Sequence, residues 1–324
     1  MARIETRLAL AAGGVAAAVW LCLRCRRYLT VWLLDCQRAL AWNEMPEVII
    51  LLRHGEAEHN TDIEKLQYEN PDRKPDNLCE LTAKGRTQAQ AAGEHIQRVL
   101  GDKPCRLSVI VSPFERTLQT LNCVQQRLAE TTHIGAVHVD PRVREQEFGN
   151  YQVKDEMSRH KKDASEVGRF WYRRPTGESG ADVYDRVTTL WDSIFSGYHT
   201  HYGAYFKTPD PSERNDALLI VTHGLTMRVR LAQTKAAPNH PSSQQTAPSL
   251  RPASTQVLLM RYFHWSPQTF DAVYNAGNCD TWVLRKQPGT RSYALSPTDS
   301  SPPRLPWATR QVCGAQMACV GQSE

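Results

Sequence analysis

The sequence has no second pair of closely spaced cysteines. Its nine cysteines stand at positions 22, 25, 36, 79, 105, 123, 279, 313 and 319, and only Cys22 and Cys25 lie near each other. A zinc ribbon needs two such pairs, and a disulfide framework in a small secreted domain usually uses an even number. The pattern predicts reduced, mostly buried thiols in an intracellular protein.

The hydrophobic run near the N-terminus is short for a membrane-spanning helix. Residues 8–23 are uncharged and mostly apolar, but these 16 residues fall short of the roughly 20 that a spanning helix usually needs. Three interpretations compete: a membrane anchor, a secretory signal and an organelle-targeting peptide. We favour an anchor, since no small-residue cleavage site follows and Glu5 is unusual in a transit peptide. Arg24, Arg26 and Arg27 would then keep the globular part on the cytoplasmic side.

The globular part carries no excess of positive charge. The net charge is +5, but residues 1–45 contribute +3, residues 232–256 contribute +2 and residues 286–324 contribute +2, which leaves −2 for the remainder. A basic stripe on the folded domain is therefore not expected, and neither is a nucleic-acid partner.

Two segments have the composition of unstructured chain, and no internal repeat is evident. Residues 233–255 are rich in Pro, Ser, Gln and Ala without apolar periodicity, and the chain from 287 onward is again rich in Pro and Ser. We therefore divide the chain into an N-terminal segment, 1–45, and a globular domain, 46–286, that carries an insertion at about 233–255. A disordered tail, 287–324, follows.

Short apolar runs alternate with helical patterns through the domain. Strands are predicted at 47–53, 107–112 and 217–222, with weaker candidates at 137–140 and 281–284. Helices are predicted at 84–100, 115–130 and 179–195, and after Gly224. This alternation is typical of an α/β fold with a mostly parallel sheet covered on both faces. Ligands bind such sheets at the carboxyl ends of the strands.

The first strand ends in a group suited to phosphate chemistry. Arg53 and His54 come at its carboxyl end, Gly55 allows a tight turn, and Asn60 follows six residues after His54. An imidazole is a competent nucleophile, and a guanidinium can hold phosphate oxygens through two hydrogen bonds. By itself the tripeptide is a weak signal, since a surface turn with an exposed histidine has the same sequence.

Two further strand ends repeat the arrangement. Residues 112–120 read Ser-Pro-Phe-Glu-Arg-Thr-Leu-Gln-Thr, where a helix N-terminus could receive an anion and Arg116 could reach it. Residues 221–224 read Val-Thr-His-Gly after the third apolar run. Each alone could be structural, but two histidines and two arginines at adjacent strand ends indicate a site. A metal site is the rival interpretation, although no carboxylate or cysteine stands at helix-face spacing to complete one.

Phosphoryl transfer also needs a proton donor for the leaving oxygen. Glu145 and Glu147 follow the 137–140 strand, close to Gly149.

The ordered motifs resemble the histidine phosphatase superfamily, in particular its phosphoglycerate-mutase-like branch, which includes broad-range acid phosphatases. The motifs are Arg-His-Gly-Glu at 53–56 with Asn60, Leu-Thr-x-x-Gly at 81–85, the 112–120 motif, Arg-Glu-x-x-Phe-Gly at 144–149 and Thr-His-Gly at 222–224. The resemblance covers residues 48–284, apart from the insertion, and implies a three-layer α/β/α sandwich.

The resemblance also implies roles for individual residues. His54 would be the nucleophile that becomes phosphohistidine, with His223 beside it and Glu145 as the proton donor, Glu147 being the second choice. Arg53, Asn60, Arg116 and the backbone of Gly224 would bind the phosphoryl group. No metal or other cofactor is expected, because cationic side chains stabilise the charge. His54 must attack as a neutral imidazole, whereas His223 would be more useful protonated, which predicts an acidic or neutral optimum with two pKa values.

The motifs predict a phosphomonoester hydrolase acting on a small anionic substrate. Two alternatives stay open: a phosphoglycerate-type mutase using the same pocket, and a non-catalytic phosphate-binding scaffold. Basic residues at 161, 162, 169, 173 and 174 could close over an anionic substrate, or could simply form a solvated face. Departures from the mutase pattern after Asn60 favour the hydrolase.

Overall fold

The protein is described by a computed structural model. The structure describes residues 28–29, 42, 45–61, 74–149, 154–195, 215–224, 228–229, 258–264, 266–267 and 274–301. The chain divides into two compact units, Met1–Met45 and Pro46–Glu324. Tyr28, Leu29 and Trp42, the helical residues described in the first unit, lie in a region that the sequence assigned to the N-terminal segment.

The second unit is organised around a six-stranded sheet. Its strands are β1 (Val48–Arg53), β2 (Cys105–Val111), β3 (Thr132–Val139), β4 (Asn215–Thr222), β7 (Thr281–Lys286) and β8 (Tyr293–Ser301). A separate antiparallel pair is formed by β5 (Arg228–Val229) and β6 (Tyr274–Asn275). The order in the large sheet is β3-β2-β4-β1-β7-β8. Strands β3, β2, β4 and β1 pair in parallel, whereas β7 pairs antiparallel with both β1 and β8. This confirms the predicted α/β fold with a mostly parallel sheet.

Six helices are described around these strands. They are α1 (Glu58–Thr61), α2 (Ala83–Leu100), α3 (Glu115–Gln125), α4 (Lys154–Val167), α5 (Gly180–Phe195) and α6 (Leu258–Tyr262), with 3₁₀ turns at Asp76–Leu78 and Pro141–Val143. Helix α2 begins where Thr82 accepts a hydrogen bond from the Gly85 N–H, and it ends at Gly101, whose φ of 80° suits glycine. The predicted helix 115–130 stops at Gln125.

The central strands are apolar along their whole length because both faces of the sheet are covered. On one face, Ile50 and Leu52 of β1 pack with Ile96 of α2 and Leu121 of α3. The intervening residue Leu51 is also fully buried. A strand buried on both sides gains hydrophobic free energy at every position, which explains the unbroken runs in the sequence.

Two sequence predictions are wrong. The tail predicted from 287 is not unstructured at Tyr293–Ser301, which form β8 along the outer edge of β7. An edge strand tolerates Pro297 and the serines around it because only one side of its backbone must pair. The helix predicted after Gly224 is also wrong for Arg228–Val229, which pair with Tyr274–Asn275 as a strand.

Other predicted segments lie outside the described residues. These are the apolar run 8–23, the insertion 233–255 and the tail beyond residue 301. Among the residues that the structure describes, no helix has both the length and the apolar character required to span a bilayer.

Candidate active site

The candidate residues meet because three parallel strands end at one edge of the sheet. Arg53 at the end of β1 pairs with Thr222 of β4, and Val111 at the end of β2 pairs with Val221. The residues that follow continue this register. The His54 N–H donates to the Thr222 carbonyl oxygen at 2.9 Å, and the Ser112 N–H donates to the Val221 carbonyl oxygen at 3.1 Å.

His54 is fully buried, and its tautomer is defined by its neighbour. Its Nδ1 lies 2.6 Å from the carbonyl oxygen of Gly55. A carbonyl oxygen only accepts, so Nδ1 carries the proton and Nε2 holds the free electron pair. The Nε2 atom is buried and has no hydrogen-bond partner. The imidazole thus presents an unengaged nucleophilic nitrogen.

The surroundings of His54 favour its neutral form. Burial lowers the pKa of His54 well below its usual value, and the positive charges of Arg116 and Arg53 lower it further. A neutral imidazole can attack phosphorus, whereas a protonated one cannot.

His223 lies beside His54, with 5.2 Å between the ring centroids. Its Nε2 is 2.7 Å from the Ser112 hydroxyl, and its Nδ1 is buried without a partner. Burial, with Arg116 next, lowers the pKa of His223 well below its usual value. In the protein without substrate, burial beside an arginine disfavours the cationic form expected of His223, and its role in the reaction stays a prediction.

Two arginines complete the positive part of the site, Arg53 partly buried and Arg116 buried. Arg53 donates from Nη1 to the Ala276 carbonyl oxygen. Arg116, which has no exposed surface, donates to the backbone and carboxylate oxygens of Asp76. In both arginines the Nε atom is buried and has no hydrogen-bond partner.

Glu145, and not Glu147, joins the histidines. A carboxylate oxygen of Glu145 and ring nitrogens of His54 and His223 lie within 4.8 Å of one another. Burial raises the pKa of Glu145, although Arg116 and Arg53 oppose that shift. Glu147 is exposed, and its carboxylate accepts a hydrogen bond from the Gly149 N–H.

The loop that carries Glu145 is fixed by Arg186 of α5. Arg186 donates from Nη2 to the Glu145 carbonyl oxygen at 3.2 Å and from Nη1 to the Arg142 carbonyl oxygen at 2.6 Å. Its Nε and Nη2 also donate to the carboxylate of Glu178. Helix α5 therefore holds the backbone of the candidate proton donor in place.

Of the remaining candidate site residues, Asn60 is exposed and Gly224 is buried. Asn60 is exposed; its Oδ1 accepts from the Ala57 N–H at 3.1 Å, and its Nδ2 lies 2.9 Å from Nε2 of His59. The amide of Asn60 thus orients a neighbouring imidazole instead of standing free. Gly224 is buried directly after His223.

The sequence analysis missed His59 and Asp76. The ring of His59 lies 5.6 Å from that of His54, and its Nδ1 is buried without a partner. Its position one residue before Asn60 could have drawn attention to it. Asp76 precedes Arg116 by 40 residues in a short 3₁₀ turn, and no local pattern pointed to their contact.

Two sets of described side chains could in principle hold a metal ion. Ligand atoms lie within 4.8 Å of one another in His54, Glu145 and His223, and likewise in His59, Asp76 and Cys79. Buried Arg116 acts electrostatically on members of both sets. A permanent positive charge beside these ligands repels a divalent cation and favours an anion.

The chain is similar to a known protein family and to several known proteins. A family model described as histidine phosphatase superfamily (branch 1) matches residues 49–271. The phosphoglycerate mutase-like protein AT74 of Arabidopsis thaliana is 34% identical over 260 residues, which cover 79% of this chain and 70% of that protein. The broad-range acid phosphatase DET1 of Saccharomyces cerevisiae is 24% identical over 341 residues, covering 78% and 89% of the two chains.

Solved structures of more distant proteins resemble the chain weakly. A mycobacterial glucosyl-3-phosphoglycerate phosphatase superposes with a TM-score of 0.48 at 20% identity, covering 77% of this chain and 96% of that one.

Proposed function

This chain belongs to the histidine phosphatase superfamily (branch 1), and we propose that it is a phosphomonoester hydrolase that works through a phosphohistidine at His54. In this proposal Glu145 supplies the proton to the leaving group. Arg53, Arg116 and His223 bind the phosphoryl oxygens, assisted by the Gly224 N–H.

One observation carries the proposal. Four buried nitrogen atoms at the shared strand edge have no hydrogen-bond partner: Nε of Arg53, Nε2 of His54, Nε of Arg116 and Nδ1 of His223. Burying an unpaired polar atom costs on the order of 1–3 kcal/mol. The nucleophilic nitrogen and the three nitrogens near it are explained together if a phosphoryl group is their partner, since its oxygens accept hydrogen bonds and its phosphorus receives the His54 electron pair.

The first half of the reaction transfers the phosphoryl group to the enzyme. Nε2 of His54 forms a bond to phosphorus while the bond between phosphorus and the ester oxygen breaks. The electron pair of the broken bond stays on that oxygen, and protonated Glu145 gives it a proton. Arg53 and Arg116 neutralise charge on the equatorial oxygens throughout.

The second half restores the enzyme with one water molecule. Ionised Glu145 takes a proton from the water while the water oxygen attacks phosphorus. The N–P bond then breaks, and its electron pair returns to Nε2 of His54. Inorganic phosphate and an alcohol are the net products. Burial raises the pKa of Glu145, which suits a group that must be protonated in one half and ionised in the other.

The basic side chains near residue 170 bear on the choice between hydrolase and mutase. A mutase must retain its intermediate under a closed, positively charged cover. Arg173 is instead paired with Asp182, and Arg174 stacks on the ring of Phe148 with its guanidinium carbon 4.8 Å from the ring centroid. These engagements leave less free charge for such a cover, so we favour the hydrolase.

The test is hydrolysis of p-nitrophenyl phosphate by the full-length protein across pH, with and without EDTA. We expect turnover that survives EDTA, is abolished in His54→Ala and falls on the order of 100-fold or more in Glu145→Gln. His133→Ala, at an exposed position of β3, is the matched control and should behave as wild type. An acid-labile phosphoprotein trapped in wild type but not in His54→Ala would identify the intermediate.

Three results would contradict the proposal. Loss of activity on chelation, restored by a divalent metal, would replace the metal-free mechanism. Tight phosphate binding without turnover of any phosphomonoester would favour the scaffold, and phosphoryl exchange between phosphoglycerates without hydrolysis would favour the mutase.

A further inference from the structure

Arg116 is the charged residue that most affects the other ionisable groups of the site. Among the charged groups that act on the pKa values of His54, Glu145 and His223, Arg116 has the largest effect on each. It lies in the first turn of α3 and is fully buried. The orientation of this guanidinium therefore affects both phosphate binding and the ionisation of the catalytic groups.

Asp76 holds one edge of that guanidinium. Nη1 of Arg116 donates to the Asp76 backbone oxygen at 2.6 Å and to Oδ1 at 3.3 Å, while Nη2 donates to Oδ2 at 3.2 Å. A carboxylate that faces both terminal nitrogens in this way is a bidentate partner, which fixes the plane of the guanidinium as well as its position. The Nε atom is left without a partner, and it too is buried.

The surroundings of the pair favour a fixed arrangement. The Phe114 ring lies under the guanidinium, with 4.7 Å between the Arg116 guanidinium carbon and the ring centroid. The Asp76 side chain is 25% exposed, whereas that of Arg116 is 1% exposed. The 3₁₀ turn that carries Asp76 is closed by a hydrogen bond from the Leu78 N–H to the Pro75 carbonyl oxygen at 2.9 Å.

We propose that Asp76 is a positioning residue, which grips the terminal edge of Arg116 so that its Nε edge is presented to the transferring phosphoryl group. The inference rests on the proposed function, since that function assigns Arg116 to bind the phosphoryl group. A guanidinium has five N–H donors, and Asp76 engages only the terminal nitrogens. The Nε–H remains for the phosphoryl oxygen, at an angle that the carboxylate fixes in advance.

The test compares Asp76→Ala and Asp76→Asn with Glu58→Gln in the full-length protein. Glu58 is a matched control because it is also a carboxylate in an ion pair, formed with Lys74. In Asp76→Ala we expect kcat for p-nitrophenyl phosphate to fall on the order of 10- to 100-fold, with a smaller change in KM. Asp76→Asn keeps the backbone oxygen and one side-chain acceptor, so we expect a partial loss. Glu58→Gln should retain the wild-type kcat.

The pH profile separates positioning from a merely structural effect. Glu145 is acted on by Arg116, Arg53, Asp76 and Arg186, and the negative charge of Asp76 raises its pKa. Removing that charge in Asp76→Asn lowers the pKa of Glu145. Because the donor must be protonated, the basic limb of the profile should move to lower pH, and in Glu58→Gln it should not.

Binding of inorganic phosphate, measured by calorimetry, tests the inference without turnover. Asp76→Ala should bind phosphate about tenfold more weakly than wild type, since a guanidinium free to rotate loses charge-assisted hydrogen bonds. If wild type binds phosphate but hydrolyses nothing, the proposed function fails and this comparison alone decides the role of Asp76. Equal or tighter binding by Asp76→Ala, or an unchanged or increased kcat, would overturn the inference and indicate that Asp76 competes with substrate for Arg116.

Discussion

The Nδ1 atom of His54 lies 2.6 Å from the carbonyl oxygen of Gly55, the residue that follows it in the chain. This short local contact assigns the proton of the imidazole to Nδ1 and leaves Nε2, the proposed nucleophile, with its free electron pair. The backbone turn after β1 thus prepares the tautomer that the proposed reaction needs.

The proposed mechanism predicts a bell-shaped dependence of activity on pH. Turnover needs neutral His54, whose pKa is lowered, and protonated Glu145, whose pKa is raised. The rate therefore falls when the pH drops through the pKa of His54 and also when it rises through the pKa of Glu145. A profile of kcat/KM against pH for the full-length protein measures both limbs. In Glu145→Gln the basic limb should disappear; its persistence there would assign the limb to another group.

Stability should decline as the solution becomes acidic. Burial lowers the pKa values of His54, His59 and His223 well below the 6.5 of an unfolded chain. Between pH 6.5 and each lowered pKa, the histidine is protonated in the unfolded chain but neutral in the folded protein, so lowering the pH favours unfolding. Each histidine then contributes a slope of up to about 1.4 kcal/mol per pH unit. The raised pKa values of Glu145 and Asp280 oppose this trend, whereas the lowered pKa values of His95 and His138 add to it.

Urea unfolding at pH 7.5, 6.5 and 5.5 measures that slope. His59→Gln replaces one titrating group with a neutral one, so its stability should depend less steeply on pH than that of wild type. His133→Gln changes an exposed histidine and serves as control. An equal slope in wild type and His59→Gln would contradict the prediction.

Replacing Gly55 with alanine should impair catalysis more than folding. A Cβ at Gly55 would lie 2.5 Å from the carbonyl oxygen of Gly85, and the Gly55 N–H donates to Thr120 Oγ1 at 3.1 Å. The turn must shift to relieve this clash, and it would carry His54 with it. A displacement near 1 Å reduces rates on the order of 100-fold, so we expect a loss of that size in kcat.

Gly101→Ala is the comparison for this prediction. Gly101 follows the last residue of α2 and has a φ of 80°. A Cβ added there would have no atoms within 4 Å. Its replacement should lower stability by about 1 kcal/mol through backbone strain but leave kcat unchanged. Similar kcat values for Gly55→Ala and Gly101→Ala would show that the Gly55 turn does not position His54.

Ser112→Ala should weaken the reaction through His223. The Ser112 hydroxyl is 2.7 Å from Nε2 of His223, and without it a buried nitrogen is left unpaired and the ring is less firmly oriented. We expect kcat to fall about tenfold. Ser108→Ala removes another buried hydroxyl on β2 and provides the control, with kcat near wild type. Kinetics combined with circular dichroism distinguishes a catalytic effect from unfolding.

Much of the fold was predictable because buried strands leave a strong local signal. The apolar runs ending at Arg53 and Thr222 are strands, and the parallel order of β1, β2 and β4 places the residues after them at one edge. The tail strand β8 was missed because an edge strand with serines and a proline lacks that signal. The N-terminal prediction for residues 8–23 stays a prediction, since those residues lie outside the described part of the chain.

The sequence by itself determined which residues are candidates for the chemistry: His54, Arg53, Arg116, Glu145 and His223 stand in motifs whose order along the chain is readable. Only the tertiary structure decided how those side chains are held and ionised. Asp76 reaches Arg116 across 40 residues, and Ser112 reaches His223 across 111. Such contacts depend on how separate elements pack, and burial shifts pKa values only after the packing exists. For that reason the sequence suggested a cationic His223, whereas burial and Arg116 lower the pKa of His223 in the folded protein.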